Sequence, residues 1–224
     1  NRRAFVRQIE NGHDPNKRYA LLYIDLDRFK PVNDRFGHGI GDKLLQAVAA
    51  RLREAAEDND LIARIGGDEF VVLIMDVEDQ ASVRDKADNI VKRLCEPYSI
   101  DGRTINIGAA IGIAMASRHE FGEMTRLMKM ADLALYKAKH DAECRCRWFT
   151  PAMLDELTQR QETEDALRRA LAENQLELHF QPIVDLASLH VIGAEALVRW
   201  NHPQRGLILP GEFLDLAEGI NLLQ

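Results

Sequence analysis

The chain has 224 residues, with 29 basic and 36 acidic side chains and a formal net charge of −7, which argues against a nucleic-acid binder held by a broad basic surface. Its length suits one complete domain plus a piece of another, and a 46% hydrophobic share is sufficient for a sizeable core. No apolar run approaches the roughly 20 residues of a membrane span, no signal peptide is visible, and 3 cysteines, with no second ligand pair for Cys144 and Cys146, point to reduced thiols.

Tyr19 to Ile24 is a short, nearly continuous apolar run of the buried-strand type. It ends in Asp25-Leu26-Asp27-Arg28-Phe29-Lys30. Ligands of an open α/β sheet collect where the chain leaves the carboxyl ends of strands, so Asp25 is placed to join Asp68 around one metal. Gly37, Gly39 and Gly41 then interrupt helix, and a helix is expected to begin near Gly41 or Asp42 with Leu44, Leu45, Val48 and Leu52 on its apolar face. Further on, Gly66-Gly67-Asp68-Glu69 lies between two apolar runs, Leu61 to Ile65 and Phe70 to Ile74. Such a pair of glycines predicts a hairpin turn using φ > 0. The two carboxylates at its tip repel each other and add little to folding, whereas a hard divalent cation wants oxygen ligands of that kind.

The next elements read as scaffold. Ala81 to Leu94 has helical apolar spacing and ends before Glu96-Pro97. Ile100 to Thr104 is a hairpin turn, Ile105 to Met115 a central strand, and Met124 to Lys139 a helix whose methionines fill the core. A strand follows to Trp148 and Phe149, then a charged helix from Pro151 to Ala172. Leu176 to Asp185 and Val191 to Trp200 are two further strands. On spacing alone Asn33 is a turn residue, Asp42 a helix cap and Lys30 a solvated lysine.

Asp25-Leu26-Asp27, Phe29-Lys30, Asn33-Asp34, Phe36-Gly37-His38, Gly41-Asp42 and Gly66-Gly67-Asp68-Glu69-Phe70 together resemble a GGDEF domain. The resemblance covers residues 1–149 and implies an α/β (α+β) fold, a nucleotidyl-cyclase-like central, mostly antiparallel sheet flanked by helices. It also implies a diguanylate cyclase, which joins two GTP molecules into cyclic di-GMP with release of two pyrophosphates, each GTP being held by one subunit of a homodimer. Asp25, the Leu26 carbonyl, Asp68 and Glu69 match the ligands of Mg2+ (or Mn2+), and Asp68 and Glu69 match the catalytic carboxylates. Asn33 and Asp42 match the guanine-reading pair; a carboxylate accepts from the two donors that guanine presents and adenine lacks. Phe29, Lys30 and Lys139 match phosphate contacts.

Two departures stand out. Where inhibited cyclases carry Arg-x-x-Asp, the sequence has Glu57-Asp58-Asn59-Asp60, so a cationic fork is replaced by an anion and product inhibition through this site is not expected. After Lys139 the pattern expects Gly-Arg-Asn, and the sequence has Ala142-Glu143-Cys144, with Arg145 and Arg147 as the cations able to compensate.

Residues 150–174 are expected to form an interdomain helix. Residues 175–224, with Gln181-Pro182, Glu195-Ala196-Leu197, Asn201-His202-Pro203 and Pro210-Gly211-Glu212-Phe213, resemble the opening of an EAL domain, a cyclic di-GMP phosphodiesterase, as an incomplete β/α-barrel start. There Glu195 matches a metal ligand, and Gln181 and Arg199 match substrate contacts. The stretch is about one fifth of a barrel of roughly 250 residues, so phosphodiesterase activity is not expected from it. Asn1-Arg2 matches the end of the usual opening signature. The expectation is therefore a cytoplasmic fragment without membrane contact, from a signalling protein anchored, if at all, through other segments. The competing reading is a GTP-binding regulatory module that no longer cyclises and tunes a phosphodiesterase.

Overall fold

A computed structural model describes Phe5, residues 17–116, 124–141 and 145–220, and Leu222. They form two compact units, 1–153 and 154–224.

The first unit is organised by β1 (Tyr19–Asp27), whose nine residues alternate between two cores. Ala20, Leu22, Ile24 and Leu26 face one side, and Tyr19, Leu21 and Tyr23 the other. Burial on both sides explains why the strand reads as a continuous apolar run. It is flanked by β3 (Glu69–Met75) and β6 (Gly108–Ala116), both antiparallel to it. β2 (Leu61–Arg64) extends the sheet beyond β3, and β7 (Cys146–Trp148) runs parallel to β6 at the other edge, giving the order β2-β3-β1-β6-β7.

Helices α1 (Phe29–Phe36), α2 (His38–Ala55) and α3 (Gln80–Leu94) supply apolar side chains to the first core. α4 (Met124–Lys139) covers the second. It lies so close to the sheet that a Cβ on Gly112 would fall 2.0 Å from the Ala131 carbonyl oxygen. A two-stranded ribbon, β4 (Tyr98–Ile100) and β5 (Arg103–Ile105), turns through Asp101 and Gly102, both at positive φ, as the sequence indicates.

Three sequence expectations are corrected. The segment after β1 is helical from Phe29, and the next helix begins at His38 rather than at Gly41 or Asp42. Gly37 alone breaks the path, at φ 81°, while Gly39 and Gly41 lie inside α2. Asn33 is thus a helical residue and not a turn residue, and Asp42 sits one turn inside α2 rather than at its cap. Finally, the hairpin between β2 and β3 forms, but neither Gly66 nor Gly67 adopts positive φ.

The second unit contains most of α5 (Pro151–Ala172) and the antiparallel strands β8 (Leu176–Val184), β9 (Val191–His202) and β10 (Gly206–Ile208). A 3-10 turn (Pro210–Glu212) leads into α6 (Leu214–Gly219). Its small core is Leu167, Ala170, Trp200, Ile208, Phe213 and Ala217. No helix among the described residues is long and apolar enough to cross a membrane.

Candidate functional site

The acidic residues meet because β1 and β3 are antiparallel. The carboxyl end of β1 therefore lies beside the start of β3, and Asp25 pairs directly with Glu69. Both neighbours of β1 are antiparallel to it, so the rule for parallel strand ends does not apply here; the antiparallel register is what sets Asp25 beside Glu69. The hairpin tip is tied to this end of β1: the Leu26 N–H donates to the Asp68 carbonyl at 3.3 Å. Within the turn, the Ile65 N–H donates to the Glu69 carbonyl at 2.9 Å, and Arg64 Nε donates to the carbonyls of Gly67 at 3.0 Å and Gly66 at 3.3 Å. A Cβ on Gly66 would lie 3.1 Å from Glu69 Oε2. Close approach of a carboxylate, not a left-handed backbone, is what favours glycine there.

Asp25 is buried, with 8% of the residue exposed. Burial pushes its carboxyl above the ordinary carboxylate value. Lys139 pulls it back through a 2.7 Å ion pair, while the charges of Asp68 and Glu69 push it further up. Glu69 Oε2 accepts from the Tyr23 hydroxyl at 3.2 Å. Three carboxylates and a backbone carbonyl are hard oxygen donors, the set that Mg2+ or Mn2+ takes, and a buried carboxylate flanked by like charges is stabilised by a cation. The residues fit such an ion in kind. Among the described residues no three His, Cys, Asp or Glu side chains already form a metal-holding group; Asp25 is turned to Lys139 and Glu69 to Tyr23.

On the other side of β1, α1 and α2 set Asn33 against Gly41, the residue before Asp42. A Cβ on Gly41 would lie 1.9 Å from Asn33 Oδ1, so the asparagine occupies space that glycine leaves free. Asn33 Oδ1 is buried with no hydrogen-bond partner, an arrangement that costs about 1–3 kcal/mol unless something satisfies it. Asp42 lines a cleft of about 340 Å³ with Leu45, Arg53, Ile62, Arg64 and Phe70. Phe29 is buried in the core and Lys30 is exposed.

The Glu57–Asp60 window is occupied by its own cation. Lys86 of α3 pairs with Glu57 Oε1 at 2.8 Å and with Asp60 Oδ2 at 2.9 Å, and the Asp60 side chain is only 1% exposed. Burial opposes the charge on Lys86, but the hydrogen bonds and the negative charges of Glu57 and Asp60 together outweigh it and raise its pKa.

Several neighbours carry no role assigned by the family motifs, although the sequence already offers Arg145 as a compensating cation. Tyr23, Arg64 and the pair Asp27–Arg145 belong to the site's surroundings. Strand alternation is the available signal for two of them, because Tyr23 and Asp27 share the face of Asp25 on β1. Ala142, Glu143 and Cys144, where the expected arginine is missing, lie outside the described residues, as do Asn1 and Arg2.

In the second unit Gln181 stands directly opposite Glu195 on the β8–β9 ladder. Arg199 lies on the same face as Glu195, four residues along β9, and donates to the Val198 carbonyl at 2.9 Å. Gln181 and Glu195 are exposed.

Fold and hairpin together define a GGDEF-type domain. Among solved structures, the chain is similar to the GGDEF domain of TpbB (YfiN) from Pseudomonas aeruginosa, with TM-score 0.62 and 35% identity, covering 69% of this chain and 90% of that one. An EAL/GGDEF domain protein from M. capsulatus gives TM-score 0.59 and 36% identity over 67% of this chain and 99% of that one. The chain belongs to the family described as diguanylate cyclase, GGDEF domain, whose model matches residues 1–145, and the EAL domain model matches residues 164–224. It is 43% identical over 220 residues to the bifunctional diguanylate cyclase/cyclic di-GMP phosphodiesterase MucR of Pseudomonas aeruginosa, covering 96% of this chain and 31% of MucR. Identity to the cyclic di-GMP phosphodiesterase NbdA of the same organism is 38% over 98% of this chain and 28% of NbdA. The chain thus spans less than a third of the length of these two relatives.

Proposed function

We propose that the first unit is a magnesium- or manganese-dependent diguanylate cyclase that acts as a homodimer, with residues 1–149 as its domain. Residues 150–174 join it to the opening of an EAL domain at 175–224. The observation that carries the reading is the buried Asp25 held against the Asp68–Glu69 hairpin tip.

The reaction forms a bond between the 3′-oxygen of one GTP and the α-phosphorus of the other, and breaks the bond from that phosphorus to pyrophosphate. Repeated once, it yields cyclic di-GMP, two pyrophosphates and two protons. Asp25, the Leu26 carbonyl, Asp68 and Glu69 would hold the ion, whose chemistry is charge neutralisation on the phosphoryl oxygens. Asp68 is also the acceptor for the 3′-hydroxyl proton. Asn33, with an unsatisfied buried carbonyl oxygen, and Asp42, on the wall of the cleft, read guanine. Lys30, the Phe29 backbone and Lys139 position the phosphates, so that catalysis is chiefly positioning and electrostatics. Since each subunit holds one GTP, two copies are needed for one product.

The test is product formation from GTP with magnesium, resolved by chromatography, by the wild type and by Asp68→Ala. Cyclic di-GMP from the wild type and none from a folded Asp68→Ala chain is the expected result. Unchanged turnover in that variant would remove Asp68 from the role. One observation favours a second reading, a regulatory GTP-binding module: Glu143 stands where the resemblance expects a phosphate-binding arginine. Saturable GTP binding without product would select it.

A further inference from the structure

On the reading above Lys139, at the end of α4, contacts the phosphates, and the resemblance assigns a second cation to position 143, which here is glutamate. The next arginine along the chain supplies a replacement from a different direction. Asp25 and Asp27 are two apart on β1, so their side chains emerge on one face, about 7 Å apart along the strand. Each carries a cation from the connection that ends α4 and starts β7. Lys139 stands on Asp25, and the Arg145 guanidinium stands on Asp27 Oδ2. The place of Arg145 is fixed from behind, because its carbonyl accepts from the Ile111 N–H at 2.8 Å on β6. Asp27 is opposite Gly108 in the ladder, and a Cβ there would lie 2.5 Å from Asp27 Oδ2 and 3.1 Å from an Arg145 guanidinium nitrogen. Glycine at 108 leaves the pair room to lie flat on the sheet end.

We propose that Arg145, positioned by Asp27, is the second phosphate-binding cation of the site, beside Lys139; this assignment rests on the GTP-binding reading above. A guanidinium has several N–H donors and keeps its charge at any working pH. A carboxylate takes up only part of that fork, and the Arg145 side chain remains 39% exposed, so donors are left for phosphate oxygens. Arg147 is not the replacement. It lies on β7 opposite Gly112, four residues along β6 from the Gly108 that faces Asp27, and so stands farther from the sheet end that carries Asp25 and Asp27.

The experiment measures binding of 3′-deoxy-GTP, which lacks the attacking hydroxyl and cannot be cyclised, and of guanosine, to the full chain with magnesium. Arg145→Gln is expected to weaken 3′-deoxy-GTP about tenfold and guanosine less than about twofold, the loss of one charge-assisted contact confined to the phosphates. Arg145→Lys, which keeps the charge and loses the fork, is expected to weaken 3′-deoxy-GTP about threefold with guanosine unchanged. Circular dichroism reports folding, and if the glutamine variant unfolds, the 3′-deoxy-GTP to guanosine ratio of the lysine variant decides. Equal weakening of both ligands, or of neither, would overturn the assignment while leaving the cyclase reading intact. A wild-type chain that binds no 3′-deoxy-GTP would overturn the parent reading, and this one with it.

Discussion

Asp25 and Glu195 are both strand carboxylates that face a polar partner across an antiparallel ladder, Glu69 in one case and Gln181 in the other. Their surroundings differ. Asp25 is enclosed by a five-stranded sheet with helical cover and is 8% exposed, whereas Glu195 lies on an open hairpin whose neighbours Leu178 and Phe180 are 59% and 66% exposed. Register alone therefore displays functional groups. A covered sheet is needed to desolvate them, and fixed charges act more strongly where water is excluded. A two- or three-stranded ribbon with little cover cannot do this.

The widest separation between the two regions is expected in chemistry. Asp25→Ala should lower cyclic di-GMP formation by about a thousandfold, the scale of losing an ion ligand, and Glu195→Ala should leave GTP turnover within about twofold. Comparable losses in both would break the comparison. Next comes the packing of the first unit. Lys86→Met leaves the Asp60 carboxylate buried without its cation and should cost about 3 kcal/mol in urea unfolding. A change below about 1 kcal/mol would show that Asp60 is solvated despite its place. The same window predicts that added cyclic di-GMP does not slow turnover, because Lys86 already engages both carboxylates where the arginine would stand.

A smaller effect distinguishes recognition from folding. Alanine in place of glycine inside a helix ordinarily stabilises by about 1 kcal/mol. In Gly41→Ala the new methyl must displace Asn33 Oδ1, so GTP affinity should fall about tenfold while stability stays within about 1 kcal/mol. Unchanged affinity would take Asn33 out of guanine reading. The smallest effect belongs to the second unit, where Phe180→Gln should alter stability by less than about 0.5 kcal/mol because the ring is already in solvent.

Much of this was legible in the sequence, and the gaps have physical causes. Apolar runs and helical spacing locate β1, α4, α5 and the β2–β3 hairpin, because those signals are local. Helix α1 hides behind polar residues, with only Phe29 and Val32 buried. Gly39 and Gly41 look like helix breakers until the Asn33 side chain is seen against one of them. The family motifs supply Asp25, Asp68, Glu69, Asn33 and Asp42, yet Arg145 meets Asp27 across 118 residues of chain. No spacing rule reaches that far; the pairing follows from the path of β7 beside β6.

The most direct test of the central claim, that the first unit holds a working cyclase site completed by a second copy, is GTP turnover with magnesium over a series of protein concentrations. Cyclic di-GMP that rises more steeply than linearly with protein is the predicted result. GTP bound to saturation with no cyclic product at any concentration would contradict it.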